Sequence, residues 1–222
     1  MRIRATTNSR GVRFRAVNAS AVEIRVLGCL LEKQRTTPDA YPLSLNSLRL
    51  ACNQSTNRDP VVQYDEGTVR EGLDELSRRR WVRLASGAGS RAAKFRHLLD
   101  EALGLSGAEL AVLAVLMLRG PQTPGELRQR TDRLHVFASG DELAATLAGL
   151  VERELVARLP RRPGQKEERY AQLLGGDDEA GEPAPVYAAV TGESRSDRLG
   201  ELEERVARLE GAVESLREQL GG

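Results

Sequence analysis

Apolar residues Val22, Val26, Leu27, Leu30 and Leu31 recur at the spacing of one helical face. The Ser20-Ala-Val-Glu23 ahead of them has the Ser-x-x-Glu pattern, in which a hydroxyl and a carboxylate satisfy the free amides of a helix start. From Glu32 to Pro42 the chain is rich in breakers, and Pro38 and Pro42 predict a connection. Ser44 then caps a short second helix carrying Leu45, Leu48 and Cys52, and Asn53 to Pro60 reads as a polar turn. A third helix starts near Asp65 and buries Val69, Leu73 and Leu76, spaced i, i+4, i+7. It runs into a strand, Trp81 to Leu84, a Gly-rich turn, Ser86 to Ser90, and a returning strand, Lys94 to Leu99.

The same grammar recurs. Ser106-Gly-Ala-Glu109 opens a helix that is apolar on nearly every side, from Leu110 to Leu118, and Thr123-Pro-Gly-Glu126 opens another. Leu143, Leu147 and Leu150 repeat the spacing of Val69, Leu73 and Leu76, and the strands Leu155 to Leu159 and Arg169 to Leu174 follow. Ser20 matches Ser106 at an offset of 86 and Leu73 matches Leu147 at 74, while Phe95 falls on Tyr170 and Leu99 on Leu174. We read a tandem duplication.

The expected fold is mainly α with small β wings, an α+β chain. It consists of a basic arm at 1–19, winged-helix domains at 20–99 and 100–174, an acidic flexible linker at 175–196 and a coiled-coil helix at 197–220. In the last segment Leu199, Leu202, Val206, Leu209, Val213, Leu216 and Leu220 alternate steps of 3 and 4. That is a heptad seam, which suits a parallel homodimer with Arg198 facing Glu203 and Arg205 facing Glu210, or a helix that folds back on its own domain.

The run EKQRTTPDAYPLSLNSLRLACNQSTNRDPV, Glu32 to Val61, closely resembles the YceH-like family of bacterial proteins. So do LDELSRRRWVR, GSRAAKFRH, ELAVLAVLMLRGPQTPGELRQRT and LPRRPGQKEERYAQLL. The resemblance covers roughly Ser20 to Leu174. It implies a tandem winged-helix fold and brings no established activity, so no catalytic residue is carried over.

Charge adds a direction to this plan. Residues 1–99 hold 18 Lys/Arg against 9 Asp/Glu, 100–174 hold 10 against 11, and 175–222 hold 5 against 12. A basic front suits contact with a polyanion such as duplex DNA. Its candidate ligands are Arg13 and Arg15 in the arm, Arg78, Arg79 and Arg80 at the end of the third helix, and Arg91, Lys94 and Arg96 in the first wing, beside His97. A second wing carries Arg158, Arg161, Arg162, Lys166 and Arg169. Both third helices carry excess acid, however, which disfavours laying them against phosphates. The second, with Arg153 alone against Asp141, Glu142, Glu152 and Glu154, fits worse, whereas the first could still make contact through its C-terminal arginines and the arm. Asn53, Gln54, Asn57 and Arg58 form a compact polar group that suits uncharged recognition or, equally, the bracing of helix ends.

The competing expectation is a scaffold for a protein partner, without DNA contact. Catalysis is the weakest reading, because His97, His135, Cys29 and Cys52 share no catalytic or metal-ligand spacing, and no cofactor motif appears. No apolar run reaches the ~18 residues of a membrane span, and the arm lacks a secretory signal. Cys29 and Cys52 read as core thiols of a reducing compartment, the cytoplasm.

Overall fold

A computed structural model describes residues 18–85, 93–161 and 167–175. The basic arm, both ribbon tips, the acidic linker and the heptad segment lie outside the described residues. Helix α1, Ala21–Thr36, begins as its sequence dictates: Ser20 Oγ accepts from the Glu23 amide at 3.2 Å, and the Glu23 carboxylate accepts from the Ser20 amide at 2.8 Å. It runs five residues into the segment expected to be a connection. The breaker that acts is Pro38, whose ring excludes a helical conformation only from Thr37.

A 3-10 turn, Pro38–Ala40, leads to β1, Leu43–Ser44, and to α2, Leu45–Cys52, capped by Ser44. Helix α3, Glu66–Arg78, is capped by Asp65, which accepts from the Thr68 amide at 2.7 Å. Strands β2, Val82–Leu84, and β3, Lys94–His97, complete an antiparallel sheet in the order β1-β3-β2. The returning strand was expected to reach Leu99. Instead Leu99 opens a short helix α4, Leu99–Leu103, too brief to leave a periodic signal and ended by left-handed Gly104.

The second half repeats the order with α5, Gly107–Arg119, α6, Pro124–Thr131, α7, Gly140–Glu152, and an antiparallel ribbon of β4, Val156–Leu159, and β5, Arg169–Gln172. Ser106 with Glu109 and Thr123 with Glu126 form reciprocal caps, and Ser139 caps α7. In place of a β1 strand there is one bridge, Gln122 to Tyr170, the counterpart of the Leu43 to Phe95 pair. Phe95 and Tyr170 thus occupy corresponding positions in the two halves.

The ends of α3 and α7 match bond for bond. Trp81 N–H reaches Leu76 O and Arg80 N–H reaches Ser77 O; Leu155 N–H reaches Leu150 O and Glu154 N–H reaches Val151 O. This Schellman closure puts Arg80 and Glu154 in the left-handed region, at φ of 61° and 55°, and turns each chain into its ribbon.

One hydrophobic core runs through both halves. It centres on α1 packed against α5, whose residues Leu110 to Leu118 are all buried. Gly28 lets the two helices close up: a Cβ there would lie 3.0 Å from Leu118 and Met117 side-chain atoms. Backbone bonds from Ala19 N–H to Leu174 O (2.9 Å) and from Asp59 N–H to Leu118 O (2.8 Å) tie the halves further.

Candidate nucleic-acid interface

Strand alternation sorts the first ribbon into two faces. Val82 and His97, directly opposed, are buried against the core. Arg83 lies opposite Arg96, and Lys94 stands two residues before Arg96, so these three cations share the outward face. Arg96 donates to Glu101 of α4 at 2.7 Å. Lys94 and Arg96 are therefore brought together as expected. Arg83 is an addition, placed there by its pairing with Arg96.

The arginine run that ends α3 is divided. Arg78 clamps Glu75 on its own helix, and that hydrogen bond holds the Glu75 carboxyl below its ordinary range. Arg79 turns inward, donating to the buried Glu23 carboxylate at 2.9 Å and to Asn18 O at 3.0 Å, with its guanidinium 6.0 Å from the Trp81 ring centre. Arg80 alone is exposed without an ion pair among the described residues. The solvent side of α3 carries Asp65, Glu66, Glu71, Asp74 and Glu75 against Arg70 and Arg78, so it repels a phosphate backbone.

His97, expected to add charge to the wing, does not. It is 2% exposed, its Nδ1 accepts from the Leu99 amide, and its Nε2 lies 2.7 Å from Gln34 Oε1. Burial pushes its pKa down, with Asp100 the main opposing influence, and the ring is neutral. Arg13, Arg15 and Arg91 lie outside the described residues, as do the candidate dimer positions Leu199, Leu202, Val206, Leu209, Val213, Leu216 and Leu220.

The polar group faces the protein's own backbone. Asn53 exchanges two 2.8 Å hydrogen bonds with the main chain of Tyr64. Arg58, 6% exposed, grips Glu32 at 2.6 and 3.0 Å and also donates to Gln54, Ala51 O and Asn57 O. Asn57, at φ 60°, accepts from Arg119 across the junction of the halves. Arg25, which its apolar surroundings concealed, donates to Cys52 O and Pro60 O and pins the same loop. Cys29 and Cys52 are buried free thiols, and Cys29's proximity together with burial pushes the Cys52 thiol up.

In the second half Arg158 is paired with Glu168, and Arg153 holds Glu109 at 2.9 Å. Arg162 and Lys166 lie outside the described residues. Among the described residues no group of three or more His, Cys, Asp or Glu side chains could hold a metal ion, and no helix is long and apolar enough to cross a membrane.

Among the described residues, seven α-helices and two small antiparallel sheets make a mainly helical α+β protein. Residues 19–165 match the family model described as "protein of unknown function, DUF480", and the chain belongs to that family. The chain is 51% identical over 195 residues to a UPF0502 protein of Opitutus terrae, covering 86% of this chain and 82% of that one. It is 49% identical to the UPF0502 protein of Geotalea uraniireducens, covering 90% and 91%, and 47% identical to that of Shewanella amazonensis, covering 88% and 96%. The resemblance to the YceH-like family agrees with this membership.

Proposed function

We propose that the protein is a non-catalytic tandem winged-helix protein that holds duplex DNA by its phosphate backbone, through the outer face of the first ribbon. The observation that carries this reading is the alignment of Arg83, Lys94 and Arg96 on one side of the β1-β3-β2 sheet, Arg83 and Lys94 exposed and Arg96 half-buried against Glu101, opposite the side that buries Val82 and His97. Arg80, at the turn into the ribbon, adds a third exposed cation beside Arg83 and Lys94. Duplex DNA presents one charge per ~1.7 Å of axis, so a row of cations on a rigid ribbon gains from several contacts at once. Acidic α3 argues against major-groove reading by that helix, so the contact positions the protein without selecting a sequence. The arm residues Arg13 and Arg15 and the wing residue Arg91 extend the same charge on sequence grounds. The heptad positions from Leu199 to Leu220 supply a homodimer on spacing alone.

Fluorescence anisotropy of a labelled duplex tests this reading. Reversing Arg83, Lys94 and Arg96 together to Glu should abolish retention at low salt while the melting transition persists. Full retention by that variant removes the ribbon from the account. A second reading, docking of a protein partner, is favoured by one feature: the exposed side of α7 presents the small apolar residues Ala144, Ala145, Ala148 and Val151 together with the carboxylates of Asp141 and Glu152.

A further inference from the structure

Where the two halves meet, a cleft of about 350 Å³ opens between the loop after α2, the C-terminal end of α5 and the C-terminal end of α6. Asn57, Arg119, Gln129, Arg130 and Arg133 line it, with Glu32 of α1 at one side. Three guanidinium groups thus border one small cavity, contributed by α5, α6 and the residues just after α6.

Their counter-charges are mostly committed elsewhere. Glu32 is gripped by the buried Arg58 through two hydrogen bonds and lies 3.6 Å from Lys33. Glu126 lies 3.2 Å from Arg130. Arg119 meets only the neutral Asn57 side-chain oxygen, and Arg133 has no ion-pair or hydrogen-bond partner among the described residues. Burial lowers the pKa of Arg119, and the charges of Arg130 and Arg58 lower it further, with Glu32 and Glu126 the opposing influences. Helix C-termini attract cations on their own account. Among the described residues, however, none of the three donates to a terminal carbonyl.

We propose that this cleft is a binding site for the phosphoryl group of a small phosphorylated molecule, held by Arg119, Arg130 and Arg133 with Asn57 and Gln129 as neutral partners. A tetrahedral dianion offers acceptor oxygens to guanidinium groups arriving from three elements, and its charge matches the two left unopposed. A carboxylate, planar and singly charged, meets neither condition. The volume falls at the small end of the ordinary range for ligand pockets, about 300–1,000 Å³. The walls come from both halves, so the ligand bridges them. The site is separate from the ribbon and does not depend on the DNA reading.

The test is calorimetric titration of the full chain with inorganic phosphate and with pyrophosphate, at ionic strength held constant with chloride. One saturable site is expected, with pyrophosphate the tighter ligand. Arg133→Gln, at an exposed residue without described partners, and Arg130→Gln should each weaken it at least tenfold and leave duplex retention unchanged. Charge reversal of the ribbon should leave phosphate binding unchanged. Absence of a saturable response from a folded chain, or a response insensitive to both substitutions, overturns the proposal. Loss of duplex retention in Arg133→Gln would also overturn it, since the phosphate recognised would then belong to nucleic acid.

Discussion

Arg79 and Arg80 are adjacent and chemically identical, yet one is a structural clamp and the other a free cation. The difference is the Schellman turn, which points Arg79 back at Glu23 and leaves Arg80 in a left-handed conformation in solvent. A non-glycine residue at such φ costs about 1 kcal/mol relative to glycine, part of which returns as chain entropy. Arg80→Gly should therefore raise stability by about 0.5 kcal/mol in urea unfolding and weaken duplex binding. His97 carries a second prediction. An unfolded histidine takes up its proton near pH 6.5, whereas burial keeps the folded ring neutral to lower pH. As pH falls through that value, the unfolded chain alone gains a proton, and stability declines; above it the contribution is complete. Urea midpoints should thus drop between about pH 7.5 and about pH 5.5, and His97→Gln should flatten that drop. A histidine at the end of the basic run Arg91, Lys94 and Arg96 reads as surface charge in the sequence. Its burial follows from the parity of the β2–β3 register, which strand length alone does not set.

Helices and caps were legible because their signals are local. Ser20, Ser44, Ser106 and Thr123 all cap as their sequence predicts, and Asp65 caps the helix expected to start near it. The extension of α1 to Thr36 was hidden because a proline marks where a helix must end, and here it ends close to that limit. The role of Gly28 was hidden too, since a glycine's neighbours come from the other half of the chain. Gly28→Ala should cost about 1–3 kcal/mol, the usual penalty for overpacking a tight interface. Gly149→Ala, in α7 with open space where its Cβ would go, should gain up to about 1 kcal/mol from helix propensity. Equal effects at the two positions would mean that α1 and α5 are not pressed together.

For the whole molecule, the repeated order of elements was readable from offsets between segments, and the Phe95 and Tyr170 bridges place those residues alike. The joining of the halves was only partly readable. An all-apolar α5 announced a buried helix, whereas the arginine cleft depends on Asn57 and Arg119, 62 residues apart. Of the polar group Asn53, Gln54, Asn57 and Arg58, composition revealed the concentration of polarity but not its direction, which is inward for Arg58. The central claim remains that the ribbon's outer cations meet phosphates. Duplex affinity measured across a salt series tests it most directly, in the natural chain and in a chain with Arg83, Lys94 and Arg96 changed to Gln. Each lost phosphate contact removes about 0.9 from the slope of log affinity against log salt, so the account predicts a slope shallower by about 2.7. Two parallel lines would contradict it.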